Sequence, residues 1–310
     1  MKLLIGFDVG GTKCAVLSGH EENDRLRIHR REAFPTPVSQ MEAIDRMTAL
    51  ASELADEAGE PIAAIGISAG SPMDADKGML LNPPNLPGWT GISMTDIATE
   101  RLGAPARMEN DANACALAEY TFGAGQGTRN AAFLTFGTGM GAGLILDGKM
   151  YRGACGNAGE LGHWRISEAG PTGYGKIGAF EGWCSGGGMK QVAETVALRY
   201  QQIGRTPLYK TCDVKTVAQA ARAGDPAALE VFSICAEKLG TTLALLNDLL
   251  DLDCIILGSI YPRCLDLLKD PVRAAFEREA LPSPCQIIPA ALGDQIGDYA
   301  ALSIAAGLTH

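Results

Sequence analysis

The sequence predicts an α/β fold written twice, with a cleft between the halves, and three observations carry that expectation. Two glycine-rich turns, Gly10-Gly11-Thr12 and Gly137-Thr138-Gly139, each separate two apolar runs: Leu3–Phe7 from Cys14–Leu17, and Ala131–Leu134 from Ala142–Leu146. After each turn the order of strand and helix signals restarts, as two βββαβα-like blocks. Each block also holds a buried apolar run, Ile62–Ile67 or Cys254–Leu257, that passes directly into turn chemistry at Ser68-Ala69-Gly70-Ser71-Pro72 or Gly258-Ser259.

The elements follow in order. Residues 3–8, 13–18 and 25–30 read as strands. An amphipathic helix from Ser39 to Ala58 is stopped by Gly59 and Pro61. After the strand at 62–67, the stretch Asn82-Pro83-Pro84-Asn85-Leu86-Pro87-Gly88-Trp89 has too much proline for a regular element. A helix at 93–102, a strand at 105–109 and a helix from Asp111 close the first block. The second runs through strands 131–136 and 142–147, a glycine-rich stretch from Gly153 to Gly188, and helices at 189–202, 214–223 and 226–250. The last of these carries Leu239, Leu243, Leu246 and Leu250 at helical spacing. Strand 254–257, helix 262–280, strand 285–288 and a helix at 294–307 complete the chain.

At 310 residues there is material for two ordinary domains and an ample core. Hydrophobic and charged fractions of 46% and 20% are those of a globular protein. A net charge of −10 argues against a nucleic-acid partner, which calls for clustered Lys and Arg. The densest basic stretch, Arg25–Arg31, alternates like a strand and is diluted by Glu21, Glu22 and Glu32, so it reads as a solvated strand face. The nine cysteines are odd in number, form no CxxC and lie mostly in apolar segments, which fits core thiols in a cytoplasmic protein. Asp8 follows too soon for a signal-peptide apolar region, and no apolar run reaches membrane-spanning length, so no membrane association is expected.

Chemistry concentrates in three places. Glycine lets backbone amides approach an anion, and successive amides form a cradle for phosphate oxygens. The turn Asp8-Val9-Gly10-Gly11-Thr12-Lys13 is one candidate cradle and Phe136–Gly141 the other, although either turn alone reads equally well as a hairpin. The third place is Glu109-Asn110-Asp111-Ala112-Asn113, at a strand end opening into a helix. An Asn or Asp helix cap accounts for part of that motif. Two acids and two amides nonetheless crowd the junction where open α/β sheets bind ligands, and a carboxylate there can take a hydroxyl proton.

Together with Gly156-Asn157-Ala158-Gly159-Glu160-Leu161-Gly162-His163, these motifs resemble the phosphate and catalytic motifs of ROK-family sugar kinases, from Leu3 to Gly293-Asp294. The resemblance implies duplicated ribonuclease-H-like (actin-like ATPase) domains, at 1–117 and 118–293, with the helix 294–310 packing back on the first. It implies ATP-dependent phosphorylation of a hexose, at the 6-hydroxyl of glucose or a related aldose, with Asp111 as general base. Asp8 would orient Mg²⁺ or its water shell. Gly10, Gly11, Thr12, Lys13, Thr138 and Gly139 would hold phosphate, and Gly258 and Ser259 would lie against the adenosine. Gly70, Asn85, Asn110, Glu160, His163 and Glu181 match the sugar-binding positions. A cytoplasmic homodimer is the implied assembly.

The sequence departs from the family where a CxCGxxGC run usually binds structural zinc with the histidine. Thr172, Tyr174 and Ala179 stand at the three cysteine positions, and Thr and Ala cannot supply thiolates, so no zinc is expected. The loop is expected to be held by packing and hydrogen bonds, through Tyr174 and Trp164. Ser68–Pro72 replaces a Gly-x-Pro-Gly-Pro sugar loop, and Gly258-Ser259-Ile260-Tyr261-Pro262 replaces a more glycine-rich turn. The family also contains sugar-sensing repressors, which carry a helix-turn-helix segment before the first strand; none is expected here, where the strand signal starts at Met1-Lys2-Leu3. A catalytically silent sugar-binding regulator is the other reading, opposed by the retained Asp8 and Asp111.

Overall fold

Apolar strands that are buried on both faces need a helical layer on each side. The computed structural model, which describes residues 2–23 and 25–309, meets that need in two units: Met1–Gly127 with Arg152–Gly156 and Leu292–His310, and Thr128–Tyr151 with Asn157–Ala291. In the first run of the chain come β1 (Leu3–Val9), β2 (Lys13–Glu22), β3 (Arg25–Pro35), α1 (Gln40–Ala58) and β4 (Ile62–Ala69). Short strands β5 (Met73–Asp74), β6 (Met79–Leu81) and β7 (Thr90–Ser93) follow, then α2 (Met94–Leu102), β8 (Ala106–Asn110) and α3 (Asp111–Phe122).

The second run holds β9 (Ala131–Leu134), β10 (Ala142–Leu146), β11 (Lys149–Tyr151), β12 (Thr172–Gly173) and β13 (Lys176–Ile177). Next are α4 (Phe180–Trp183), α5 (Gly186–Gln202), α6 (Val214–Arg222), α7 (Pro226–Leu250) and β14 (Cys254–Leu257). The chain ends with α8 (Ile260–Arg263), α9 (Leu265–Glu279), β15 (Gln286–Pro289) and α10 (Ile296–Ala306).

The first unit's sheet has the order β3-β2-β1-β4-β8, and the second's has β11-β10-β9-β14-β15. Both begin with an antiparallel three-stranded meander and continue with two parallel strands. The duplication read from the turns is therefore a duplication of topology.

In the first unit the two-residue period of β1 divides its side chains between two cores. Ile5, Phe7 and Val9 join Ile44, Met47, Ala51 and Leu54 of α1. Leu4 joins Leu17, Ala64, Ala301, Leu302 and Ala305, so α10 covers the opposite face. Helix α1 starts at Ser39, whose hydroxyl accepts from the Glu42 amide, and ends at Gly59 in the left-handed conformation. In the second unit Leu134, Phe136, Phe180, Phe232, Leu239, Leu243 and Leu257 belong to one large core. Asp225 caps α7 ahead of Pro226.

Some local features differ from expectation. The helix expected at 262–280 is two elements, because Cys264 takes a non-helical conformation between α8 and α9. Strand β11 and the sheet β5-β6-β7 are additional short pairings. Six cysteines (Cys14, Cys184, Cys235, Cys254, Cys264 and Cys285) are buried. Among the described residues no helix is long and apolar enough to cross a membrane.

Leu302 is fully buried between α10 and the sheet. Leu302→Ala is expected to cost about 2–5 kcal/mol in urea unfolding. A cost under about 1 kcal/mol would show that α10 does not complete the core of the first unit.

Candidate active site

Parallel pairing brings three strand ends of the first unit into line. Asp8 of β1 is in register with Ser68 of β4, and Ser68 with Glu109 of β8; the next row is Val9, Ala69 and Asn110. Beyond that row each strand enters its turn: Gly10–Thr12, Gly70–Pro72, and Asp111 at the start of α3.

The first turn is closed by the Gly10 amide on the Lys13 carbonyl (3.1 Å) and pinned by the Thr36 hydroxyl on the Gly10 carbonyl (2.6 Å). Gly11 lies so close to Asn85 that a Cβ there would sit 2.7 Å from the Asn85 carbonyl oxygen, so only glycine lets the proline-rich loop meet this turn. That loop is held by the Gly88 amide on Asn82 Oδ1 (2.7 Å) and the Trp89 indole on the Val38 carbonyl (3.1 Å).

Burial and the neighbouring Asp298 carboxylate push the Asp8 carboxyl up, while Arg31 and Lys13 pull it down. Arg31 is itself tied to Asp298 at 2.8 Å. A half-buried carboxylate beside a second one suits a cation held by one or two carboxylates, water and phosphate. Among the described residues no three His, Cys, Asp or Glu side chains gather as a metal-ligand group, and such a cation does not require one.

At the strand-to-helix junction Asn110 caps α3: its Oδ1 accepts from the amides of Ala112 (3.0 Å) and Asn113 (3.3 Å). Its Nδ2 donates to Ser71 Oγ (2.8 Å), joining the Gly70–Pro72 turn to the cap. Asp111 is exposed on the first turn of α3, where the helix dipole favours an anion, and accepts the Ala112 amide at 2.8 Å. A Cβ on Gly70 would come 4.0 Å from Asp111 Oδ2. The Cys115 thiol is held well above the ordinary range by its burial first, and then by the carboxylates of Asp111, Asp8 and Glu119.

In the second unit three segments converge. The turn after β9 is closed by the Thr135 amide on the Gly141 carbonyl (3.0 Å) and by the Gly141 amide on Thr135 Oγ1 (3.0 Å). The N-terminus of α5 meets it: the Gly186 amide donates to the Gly137 carbonyl (2.7 Å) and the Gly187 amide to that of Thr138 (3.3 Å). Ser185 caps this helix on the Gly188 amide at 2.9 Å. The third segment is Gly258–Ile260, whose Ile260 amide donates to the Phe136 carbonyl (3.0 Å). Phe136 and Ser259 both have positive φ (38° and 46°), a local strain of about 1–3 kcal/mol each without glycine.

Glu181 braces the turn through Oε2, which accepts the Met140 amide at 3.0 Å; a Cβ on Gly139 would sit 2.8 Å from that oxygen. Glu160 Oε2 stands 3.8 Å from His163 Nε2, and the His163 ring stacks on Tyr174 with centroids 3.7 Å apart. Tyr174 and Gly175 form the two-residue turn of the β12–β13 hairpin, both at positive φ. This hairpin occupies the stretch that lacks the family's cysteines.

Residues 4–307 match the ROK family. The chain belongs to the ROK family. Glucokinase of Streptomyces coelicolor is 34% identical over 319 residues, spanning 100% of this chain and 98% of its own length. A ROK family glucokinase from Streptomyces griseus, solved in complex with glucose and AMPPNP, is 32% identical with a TM-score of 0.76, covering 98% of this chain and 99% of that one. The ROK hexokinase from Thermus thermophilus is 28% identical with a TM-score of 0.82, at 99% coverage of each chain. The fold is that of the actin-like ATPases, and this ROK protein is a kinase.

Of the residues singled out in the sequence, Asp8, Gly10–Lys13, Gly70, Asn85, Asn110 and Asp111 lie in the first unit. Thr138, Gly139, Glu160, His163, Glu181, Gly258 and Ser259 lie in the second. Sequence reasoning missed Gly186 and Gly187, whose signal was a serine followed by three glycines at a helix start. It also missed Asp298, which has no motif around it.

Asn110→Ala removes the cap of α3 and the tie to Ser71, and is expected to lower unfolding stability by about 0.5–2 kcal/mol. Unchanged denaturant stability would mean that this cap does not hold the junction.

Proposed function

We propose that this ROK kinase transfers the γ-phosphoryl group of ATP to the 6-hydroxyl of glucose or a related aldohexose, with Asp111 as the general base. The observation that carries the reading is the shared register of β1, β4 and β8, which ends Asp8, the Gly70 turn and Asp111 on one edge of one sheet. The Streptomyces griseus relative, whose complex holds glucose and AMPPNP, supports the choice of sugar and nucleotide.

Phosphoryl transfer asks a protein for position and charge more than for reactive groups. Asp111 would accept the proton of the attacking hydroxyl from an exposed position on the first turn of α3. Gly10–Lys13 and the Thr138–Gly139 turn, backed by the N-terminus of α5, would present amides to the phosphate chain. Mg²⁺, when bound, supplies charge neutralisation on the phosphates, and Asp8 would hold it through water. The Gly258–Ser259 turn would lie against the adenosine. Asn85, Asn110, Glu160, His163 and Glu181 would offer the sugar fixed donors and acceptors; leaving one such group buried and unmatched costs about 1–3 kcal/mol. The Tyr174 stack orients His163 for that task in place of a zinc-held loop. The reading extends to a cytoplasmic homodimer, as family resemblance implies.

A coupled ADP-release assay over a sugar panel tests this. Glucose or a close aldohexose is expected to turn over, and Asp111→Asn to lower kcat by about 10²–10⁴-fold. Undiminished ADP release in that variant removes Asp111 as the base. Tight sugar binding without turnover on any sugar favours a regulator.

The pH profile offers a second check. Asp8 must be ionised to hold the metal, and its carboxyl is raised, so the acid limb of kcat/KM sits above that of an ordinary aspartate. Asp298→Asn removes the carboxylate that raises it and releases Arg31, which lowers it, so the limb is expected to move to lower pH. A limb that stays in place or moves up contradicts the assignment.

A further inference from the structure

Glu109 immediately precedes Asn110 and Asp111, yet it is 2% exposed and too deeply buried to meet a substrate. Its carboxylate accepts three hydrogen bonds and one further ion-pair contact. Oε2 takes Nε (2.6 Å) and a terminal nitrogen of Arg152. Oε1 takes the Asn110 amide (3.1 Å) and Nδ2 of Asn113 (3.0 Å). A carboxylate has about four acceptor sites, so this one is fully used. The groups it gathers come from the end of β8, the first turn of α3, and the stretch Arg152–Gly156, which belongs to the first unit.

We propose that Arg152 is a positioning residue for the transfer: through Glu109 it fixes the strand-to-helix junction that presents Asn110 and Asp111. The inference rests on the reading of Asp111 as general base. A buried carboxylate without its cation is strongly unfavourable, and relieving it would require the junction to open or Glu109 to turn away. Either movement breaks the bond from the Asn110 amide and shifts the cap from which Asp111 projects. Arg107, two residues before Glu109 on β8, is not a substitute. Burial and the Arg152 charge both disfavour its protonated form, while Glu109 and Asp76 favour it, and the four contacts on the Glu109 carboxylate already come from other groups. Arg152 is the guanidinium that touches the carboxylate, and it arrives from a segment 43 residues away in sequence.

Steady-state kinetics of Arg152→Ala and Arg152→Lys, with far-ultraviolet circular dichroism to confirm folding, test this assignment. Arg152→Ala is expected to lose about 10–100-fold in kcat, the scale of a charge-assisted hydrogen bond, with KM for ATP within about threefold of wild type and a rise in sugar KM smaller than the loss in kcat. Arg152→Lys is expected to recover part of that loss, as is millimolar guanidinium added to Arg152→Ala. Should the alanine variant not fold, the lysine variant carries the test, with a fall in kcat at near-constant KM for ATP. An unchanged kcat, a loss wholly in KM, or a lysine variant as impaired as alanine with no guanidinium rescue would overturn the inference while leaving the functional reading intact. A wild-type protein that phosphorylates no sugar would overturn both.

Discussion

Parallel pairing of β1, β4 and β8 in a single register is the constraint on which the candidate site of the first unit depends. Because Asp8, Ser68 and Glu109 share one row, the three turns that follow leave the same edge of the sheet one or two residues later. A one-residue slip of β8 would carry Glu109 to the opposite face, since side chains alternate along a strand. Asp111 would move with it. The apolar cores on both faces resist such a slip, with α1 on one side and α10 on the other. Packing far from the turns therefore sets where the carboxylates stand.

The second unit repeats the strand order and gives it different chemistry. Thr135 stands where the first unit has Asp8, and its hydroxyl and amide close the turn on Gly141 instead of offering a charge. What this turn gains is backbone: the N-terminus of α5 and the Gly258–Ile260 turn both dock on it, and Glu181 braces it from the Met140 amide. One copy of the duplicated sheet thus ends in an acid and a short hairpin. The other ends in a turn tied by backbone hydrogen bonds to α5 and to Gly258–Ile260, with positive φ at Phe136 and Ser259.

Much of the fold could be read from the sequence because its signals are local. Ser39, Gly59 and the apolar spacing between them bound α1; Asp225, Pro226 and four leucines mark α7. What could not be read depends on distant partners. The break at Cys264 lies within a run of helix-compatible residues, Arg263 to Lys269, and β11 is only three residues long. In the site, the missing cysteines at 172, 174 and 179 were plain, but the β12–β13 hairpin and the ring of Tyr174 on His163 needed coordinates. Asn110 shows the helix-cap reading that the sequence offered, and its side-chain amide also reaches Ser71 of the Gly70 turn, a tie the sequence did not signal. Glu109 was visible as part of a motif, whereas its partner Arg152 carried no signal of its own.

The central claim is that Asp111 receives the proton of the hydroxyl being phosphorylated. A crystal structure of the protein with glucose and a non-hydrolysable ATP analogue tests it most directly. The account predicts the sugar's 6-hydroxyl within about 2.6–3.2 Å of an Asp111 carboxylate oxygen. Glucose bound in an ordered pose with that hydroxyl on another base, and Asp111 facing solvent, would contradict it.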